Sequence, residues 1–285
     1  MSSARMPSQR LHAALLAAPA FAILAVLFVV PMLLLFVVSF WRVRNFALTP
    51  DMSLAAYARV FDTYGDVLVS TMINGGLTAL ICVGLGFLFA YAARFRAGRW
   101  GDALILVVII TLFGGYLVKI YAWKAILSTD GFLNAVLVAS GLSAQPLDTL
   151  LYNRGAVIVA LVHFLLPFAI LPIYGQLRNV NDIQIEAAHD LGASGRQTLL
   201  RVIIPQCRAG MFAAFAISFL YAAGDYITPR FLGGGSGSMI GQFIAQEFST
   251  RFNWPAGAAM SFVLMAASLL VLGLVGALFV RRRPS

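Results

Sequence analysis

Apolar residues along this chain come in long blocks. Stretches free of Asp, Glu, Lys and Arg run over 13–41, 67–93, 103–118, 155–177, 209–224 and 252–280. A helix needs about 20 mostly apolar residues to cross the hydrocarbon core of a bilayer, and the two shorter blocks reach that length with their weakly polar neighbours. The pattern predicts an all-α integral membrane protein with six transmembrane helices, at 13–41, 67–93, 101–121, 155–176, 209–228 and 256–280. The first block follows Arg5 and Arg10, as a signal peptide's apolar region would, but it stays apolar through Phe40 and Trp41. That is too long for a cleaved leader, so it is read as a retained first helix. Two further uncharged stretches, 131–147 and 231–246, are rich in Ser, Asn, Gln or Gly and read as loops with short surface helices. No alternation of strand type is present.

Composition agrees with the blocks. The chain is 61% hydrophobic and 11% charged, with mean hydropathy +0.89, whereas soluble domains carry roughly 25% charged residues. The net charge of +9 would suggest nucleic acid in a soluble chain. Sorting the charges by side gives a different meaning. With six helices and segments 1–12 and 281–285 both cytoplasmic, twelve arginines fall inside and six outside, as the positive-inside rule requires. A seventh span at 131–147 would send the basic loop 178–208 outside and is rejected.

Several chemistries are excluded. Cys82 and Cys207 lack any partner spacing, and His12, His163 and His189 have no metal-type neighbours. The only lysines, Lys119 and Lys124, follow Val118 and Trp123, so no Walker A loop exists to cradle ATP. Gly84 and Gly86 sit within an apolar block, where small residues permit close helix packing. Lys119 and Asp225 each lie about 25 Å from the cytoplasmic boundary at 1.5 Å per helical residue. Both are expected near the outer interface. Lys119 either snorkels to headgroups or lines the substrate pathway, while Asp225 and Tyr226 either end a helix or line that pathway, where a carboxylate and an aromatic ring suit a cationic amine.

The one long polar inside stretch is NVNDIQIEAAHDLGASGRQTLLRVIIPQCRAG, beginning at Asn179. Asp182 is expected to cap a short helix and Gly192 to close it in the left-handed conformation. Ser194 and Gln197 form an S-x-x-Q capping box that starts a second helix running to Pro205. Ala187 and Ala188 leave a shallow face suited to another protein's groove. Asp182, Glu186 and Asp190 also stand at i, i+4, i+8, loosely like the Mg-diphosphate motif of membrane prenyltransferases. The only other acidic pair, Asp62 and Asp66, falls on the opposite side. A secondary transporter is the other alternative, but no inverted repeat is visible and intramembrane charges are few.

Glu186, Ala187, Ala188, Gly192, Val202, Ile204 and Pro205 resemble the EAA, G, I-x-LP pattern of the membrane subunits of ABC importers. KIYAWKAILSTDGFLNAVL at 119–137, GDYITPRFLGG at 224–234 and NWPAGAA at 253–259 extend the resemblance to spermidine/putrescine-type permeases, over roughly 68–276. One departure is Phe113-Gly114-Gly115, where such permeases commonly have Leu-Pro-Phe; Gly114 and Gly115 would shape that part of the pathway differently. The resemblance implies a type I ABC importer permease fold with a core domain over 68–276, and a bacterial inner-membrane location with both termini cytoplasmic. It implies a coupling helix around 182–192 in the loop 178–208, with Glu186 and Gly192 as key positions. The implied partners are two cytoplasmic ATPase subunits, a second permease subunit that is a paralogue, an extracytoplasmic solute-binding protein and membrane lipid, with no nucleic acid. No cofactor is expected in this chain, ATP being bound by the partner. The cargo would be a small organic solute, polyamines first, with opines or aminophosphonates as alternatives.

Overall fold

The computed structural model of the chain describes Leu16, residues 18–44 and residues 47–280. The expected cytoplasmic ends, 1–12 and 281–285, lie outside the described residues. The chain groups into two compact units, one of residues 1–63 with 246–263 and one of residues 64–245 with 264–285.

In the first unit, helix α1 (Ala18–Val38) is apolar all round, with none of its membrane-length window buried. That is the character of a helix whose solvent is lipid. Within it, Ala25–Val29 winds as a π-helix and the Val30 amide bonds back to Ala25 O, beside Pro31, whose ring nitrogen has no hydrogen to donate. A short hairpin follows, β1 (Arg42–Arg44) against β2 (Ala47–Thr49), antiparallel with Val43 opposite Leu48. Strands of three residues are too short to show alternation, which is why the hydropathy pattern missed them. Arg42 donates to Ser53 Oγ at 2.7 Å, and Arg44 pairs with Asp51 at 3.2 Å. Beneath the hairpin, Ser39 is fully buried and shares a hydrogen bond with the Tyr57 hydroxyl at 2.7 Å.

Helix α2 (Ala55–Phe95) has 41 residues and is therefore about 60 Å long. It begins twelve residues before the expected start at 67, because Arg59, Asp62 and Asp66 interrupt hydrophobicity without interrupting helix formation.

The second unit holds most of the core. The expected continuous helix at 101–121 is corrected: α3 (Gly101–Leu112) stops, and α4 (Tyr116–Leu127) departs at an angle of 94° for the bent pair. Gly115 is extended at φ −54°, ψ 133°, and the Lys119 ammonium donates to Thr111 O at 2.8 Å, placing a cation on the exposed carbonyls of the α3 C-terminus. Helix α5 (Phe132–Ala139) lies in the expected loop 131–147. Its Asn134 is a buried clasp, donating to Ser128 O and Leu147 O, both at 3.1 Å, and accepting from the Leu147 amide at 2.7 Å.

Helix α6 (Arg154–Arg178) contains the expected span 155–176 and is capped by Asn153, whose side chain accepts from the Ala156 amide. It is the most buried spanning helix, with 61% of its apolar window inside the protein. Small residues bring its neighbours close: a Cβ on Gly86 would lie 3.3 Å from Ala169 Cβ. After the polar loop come α7 (Asp182–Asp190), α8 (Gly195–Gln206) and α9 (Arg208–Gly224). The expected span 209–228 is corrected at its far end, since Asp225 turns extended at ψ 133° and its oxygens accept from the Ile227 and Thr228 amides. Those two bonds start a new turn rather than prolonging the old one. Pro229–Gly233 then forms a π-helical turn. Helix α10 (Ile240–Ser249) begins in the expected loop 231–246, and its first amide donates to Thr71 Oγ1 at 2.9 Å. Helix α11 (Trp254–Val280) contains the expected span 256–280. Four of these helices are long and apolar enough to span alone, and six spans are reached if each bent pair counts as one.

Candidate coupling site

The loop between α6 and α9 is a helix, a tight turn and a helix. The N-cap is Asn181 rather than the expected Asp182: its side chain accepts from the Ile183 amide at 3.0 Å. Asp182 occupies the first turn instead, where a negative charge favours the helix dipole. Gly192 closes α7 at φ +80°, its amide bonding to His189 O at 2.8 Å while Ala193 bonds to Ala188 O at 2.9 Å. A residue with a Cβ pays a steric penalty in that conformation. The expected capping box is present: Ser194 N donates to Gln197 Oε1 at 2.8 Å and Gln197 N to Ser194 Oγ at 3.4 Å. Helix α8 carries a π-helical stretch at Leu199–Ile203, and Pro205 is half-buried just before the bend of 65° into α9.

Glu186 and Ala187 are exposed and Ala188 is half-buried. Two neighbours singled out by no motif complete the outer face. Ile183 is 68% exposed and Leu191 is 89% exposed. Ile183, Ala187 and Leu191 stand at i, i+4, i+8, so they form one apolar row along α7. That spacing was readable from the amino-acid sequence. Ile185, by contrast, packs against the core. Two polar contacts hold α7 in place: Asp182 accepts both oxygens' worth of bonding from Arg94 at 2.9 Å, and Gln206 donates to Gln184 at 2.9 Å. With Asp182 engaged by an arginine, the acidic row does not present three free carboxylates to a metal.

Of the three candidate pathway residues, Lys119 lines a cavity that neither Asp225 nor Tyr226 lines. Lys119 reaches back to Thr111 O and lies 5.3 Å from the Phe164 ring centre. With His163 it contributes polar groups to an otherwise mostly apolar cavity of about 430 Å³ beside the α3–α4 break. Asp225 is buried at 6% exposure, its oxygens 3.0 and 3.1 Å from the amides they accept, so its carboxylate is a structural cap. Tyr226 is exposed. Near Asp225 the Tyr116 hydroxyl shares a bond with Thr228 Oγ1 at 2.7 Å, and the rings of Tyr116, Phe164 and Tyr221 cluster at 4.5 to 5.9 Å.

The described chain thus combines membrane-length helices with an exposed helix-turn-helix between two of them. Residues 82–283 match the binding-protein-dependent transport system inner membrane component family, and the chain belongs to it. It is a permease subunit of an ABC importer. The spermidine/putrescine transport system permease protein PotB of Haemophilus influenzae is 33% identical over 248 residues, covering 85% of this chain and 86% of that protein. PotB of Escherichia coli is 33% identical over 213 residues, covering 74% and 77% respectively. Among solved structures, a bacterial ABC transporter involved in alginate import aligns with TM-score 0.75 at 17% identity, over 97% of this chain and 96% of that one. The alignment establishes a shared ABC importer permease fold.

Proposed function

We propose that this chain is one of two permease subunits in a polyamine importer, and that α7 is the helix through which a cytoplasmic ATPase drives it. The observation supporting the coupling role is the exposed row Ile183, Ala187 and Leu191 beside Glu186, held by the Gly192 turn. A small apolar ridge flanked by a carboxylate is what a helix needs to seat in a groove. The cargo assignment is supported by the spermidine/putrescine permeases that are 33% identical to this chain over 248 and 213 aligned residues.

In this reading two ATPase subunits bind and hydrolyse ATP, and this chain performs no catalysis. An extracytoplasmic binding protein delivers the cargo, and a paralogous permease supplies the other half of the pathway. ATP binding draws the two coupling helices together and shifts the pathway from inward-facing to outward-facing, a population shift between two packed states. The arginine excess on one side supports a bacterial inner-membrane protein with both termini cytoplasmic.

Uptake of labelled putrescine and spermidine in a deletion strain complemented with this chain tests the reading. Glu186→Lys should abolish uptake and loosen co-purification of the ATPase while the subunit remains in the membrane. Undiminished uptake by Glu186→Lys would overturn the coupling role; complemented cells that import neither amine would overturn the cargo.

A further inference from the structure

Covalently, α7 is joined only to α6 before it and α8 after it. A third connection is made across 88 residues of sequence: the Arg94 Nη2 atom lies 2.9 Å from both carboxylate oxygens of Asp182. Arg94 is in the last turn of α2, and its guanidinium lies 4.9 Å from the Phe95 ring centre, which restrains the side chain. Next to the pair is a polar cleft of about 360 Å³ lined by Arg94, Asp102, Tyr174 and Arg178. There the Tyr174 hydroxyl donates to Asp102 Oδ1 at 3.3 Å. The ends of α2, α3 and α6 thus meet in one charged cluster, and α7 is attached to it through Asp182.

We propose that Arg94 is a positioning residue for coupling: its ion pair with Asp182 carries movement of α7 directly to α2, a helix with no covalent neighbour in the loop. The inference rests on α7 being the coupling helix. Two features separate it from a merely structural contact. The Asp182 side chain is 61% exposed and that of Arg94 is 27% exposed, and pairs so open to water contribute little to fold stability. Moreover, α7 keeps its own N-cap at Asn181 and its own closing turn at Gly192 without Arg94. Loss of the pair therefore leaves the helix formed but unattached to α2.

The test uses the complete transporter in lipid nanodiscs and reads ATP hydrolysis relative to the free ATPase subunit, a ratio that requires no knowledge of the cargo. Arg94→Ala and Asp182→Asn should each lower the ratio roughly two- to five-fold, as expected for a well-formed but partly exposed ion pair. The double variant should lower it no further, because both changes remove one interaction. Arg94→Lys should restore part of the ratio. The wild-type ratio should fall between about 0.1 M and about 1 M salt, where the screening length shortens from about 10 to 3 Å, and in Arg94→Ala this extra salt dependence should vanish. Gly192→Leu is the reference for the coupling role itself. If it abolishes the ratio while Arg94→Ala keeps the wild-type value and salt profile, the Arg94 inference is overturned and the coupling helix stands. If Gly192→Leu also hydrolyses ATP normally, the coupling role of α7 is overturned and the inference with it.

Discussion

Replacing Gly192 with Ala isolates backbone strain from crowding. A Cβ built there meets no atom within 4 Å, yet φ is +80°, so the only cost is the left-handed conformation, about 1–2 kcal/mol for a residue with a Cβ. A penalty of that size changes an opening equilibrium roughly 5–30-fold. Gly195, three residues on, also has open space around its Cβ position and no left-handed backbone. Gly195→Ala should therefore be neutral or slightly stabilising, since alanine restricts the unfolded chain more than glycine does. Hydrogen exchange read by mass spectrometry on peptides covering 187–193 measures the effect directly. The Gly192 and Ala193 amides close the turn onto His189 O and Ala188 O, and in Gly192→Ala they should exchange roughly 5–30-fold faster. Gly192→Asn should be milder than Gly192→Ala, because asparagine tolerates the left-handed region better. Equal exchange in the two alanine variants, or faster exchange in Gly192→Asn than in Gly192→Ala, would refute the reasoning.

Asp225→Ala leaves the partly buried Ile227 and the buried Thr228 amides without their acceptor, costing about 1–3 kcal/mol for each amide that water does not reach. Asp225→Asn keeps one acceptor oxygen, so the thermal midpoint of the purified subunit should fall more for Ala than for Asn; the reverse order would speak against a capping role. Gly86→Val drives a branched side chain towards Ala169, whose Cβ lies 3.3 Å from the position a Cβ would take, whereas Gly84 has nothing within 4 Å. Gly86→Val should lose about 1–3 kcal/mol by overpacking and reduce the yield of folded subunit, while Gly84→Val should not; matched yields would show that α2 and α6 separate freely.

The membrane character, the helical class and the approximate spans were legible because a bilayer admits only internally bonded backbone, so apolar length alone decides where the chain crosses. The helix-turn-helix between α6 and α9 was legible for a different reason: the capping box and the left-handed glycine act within four residues, and both are found as expected. Chain-distant and very short features were not. The hairpin at 42–49 is too short for a period, and the Gly-Gly after Phe113 marked a departure without revealing a bend of 94°. Gly84 and Gly86 look alike in the amino-acid string, yet only Gly86 faces Ala169.

Local interactions and hydropathy were thus enough to determine which segments are apolar enough to enter the membrane, which polar segment lies between them, and how that segment starts and turns. Three-dimensional packing decided what those segments hold. It made Asp225 a buried cap instead of an open carboxylate, turned Lys119 back onto Thr111, and set Arg94 against Asp182. Each of those outcomes depends on which groups the fold leaves within reach, a matter of tertiary distance that no local periodicity encodes.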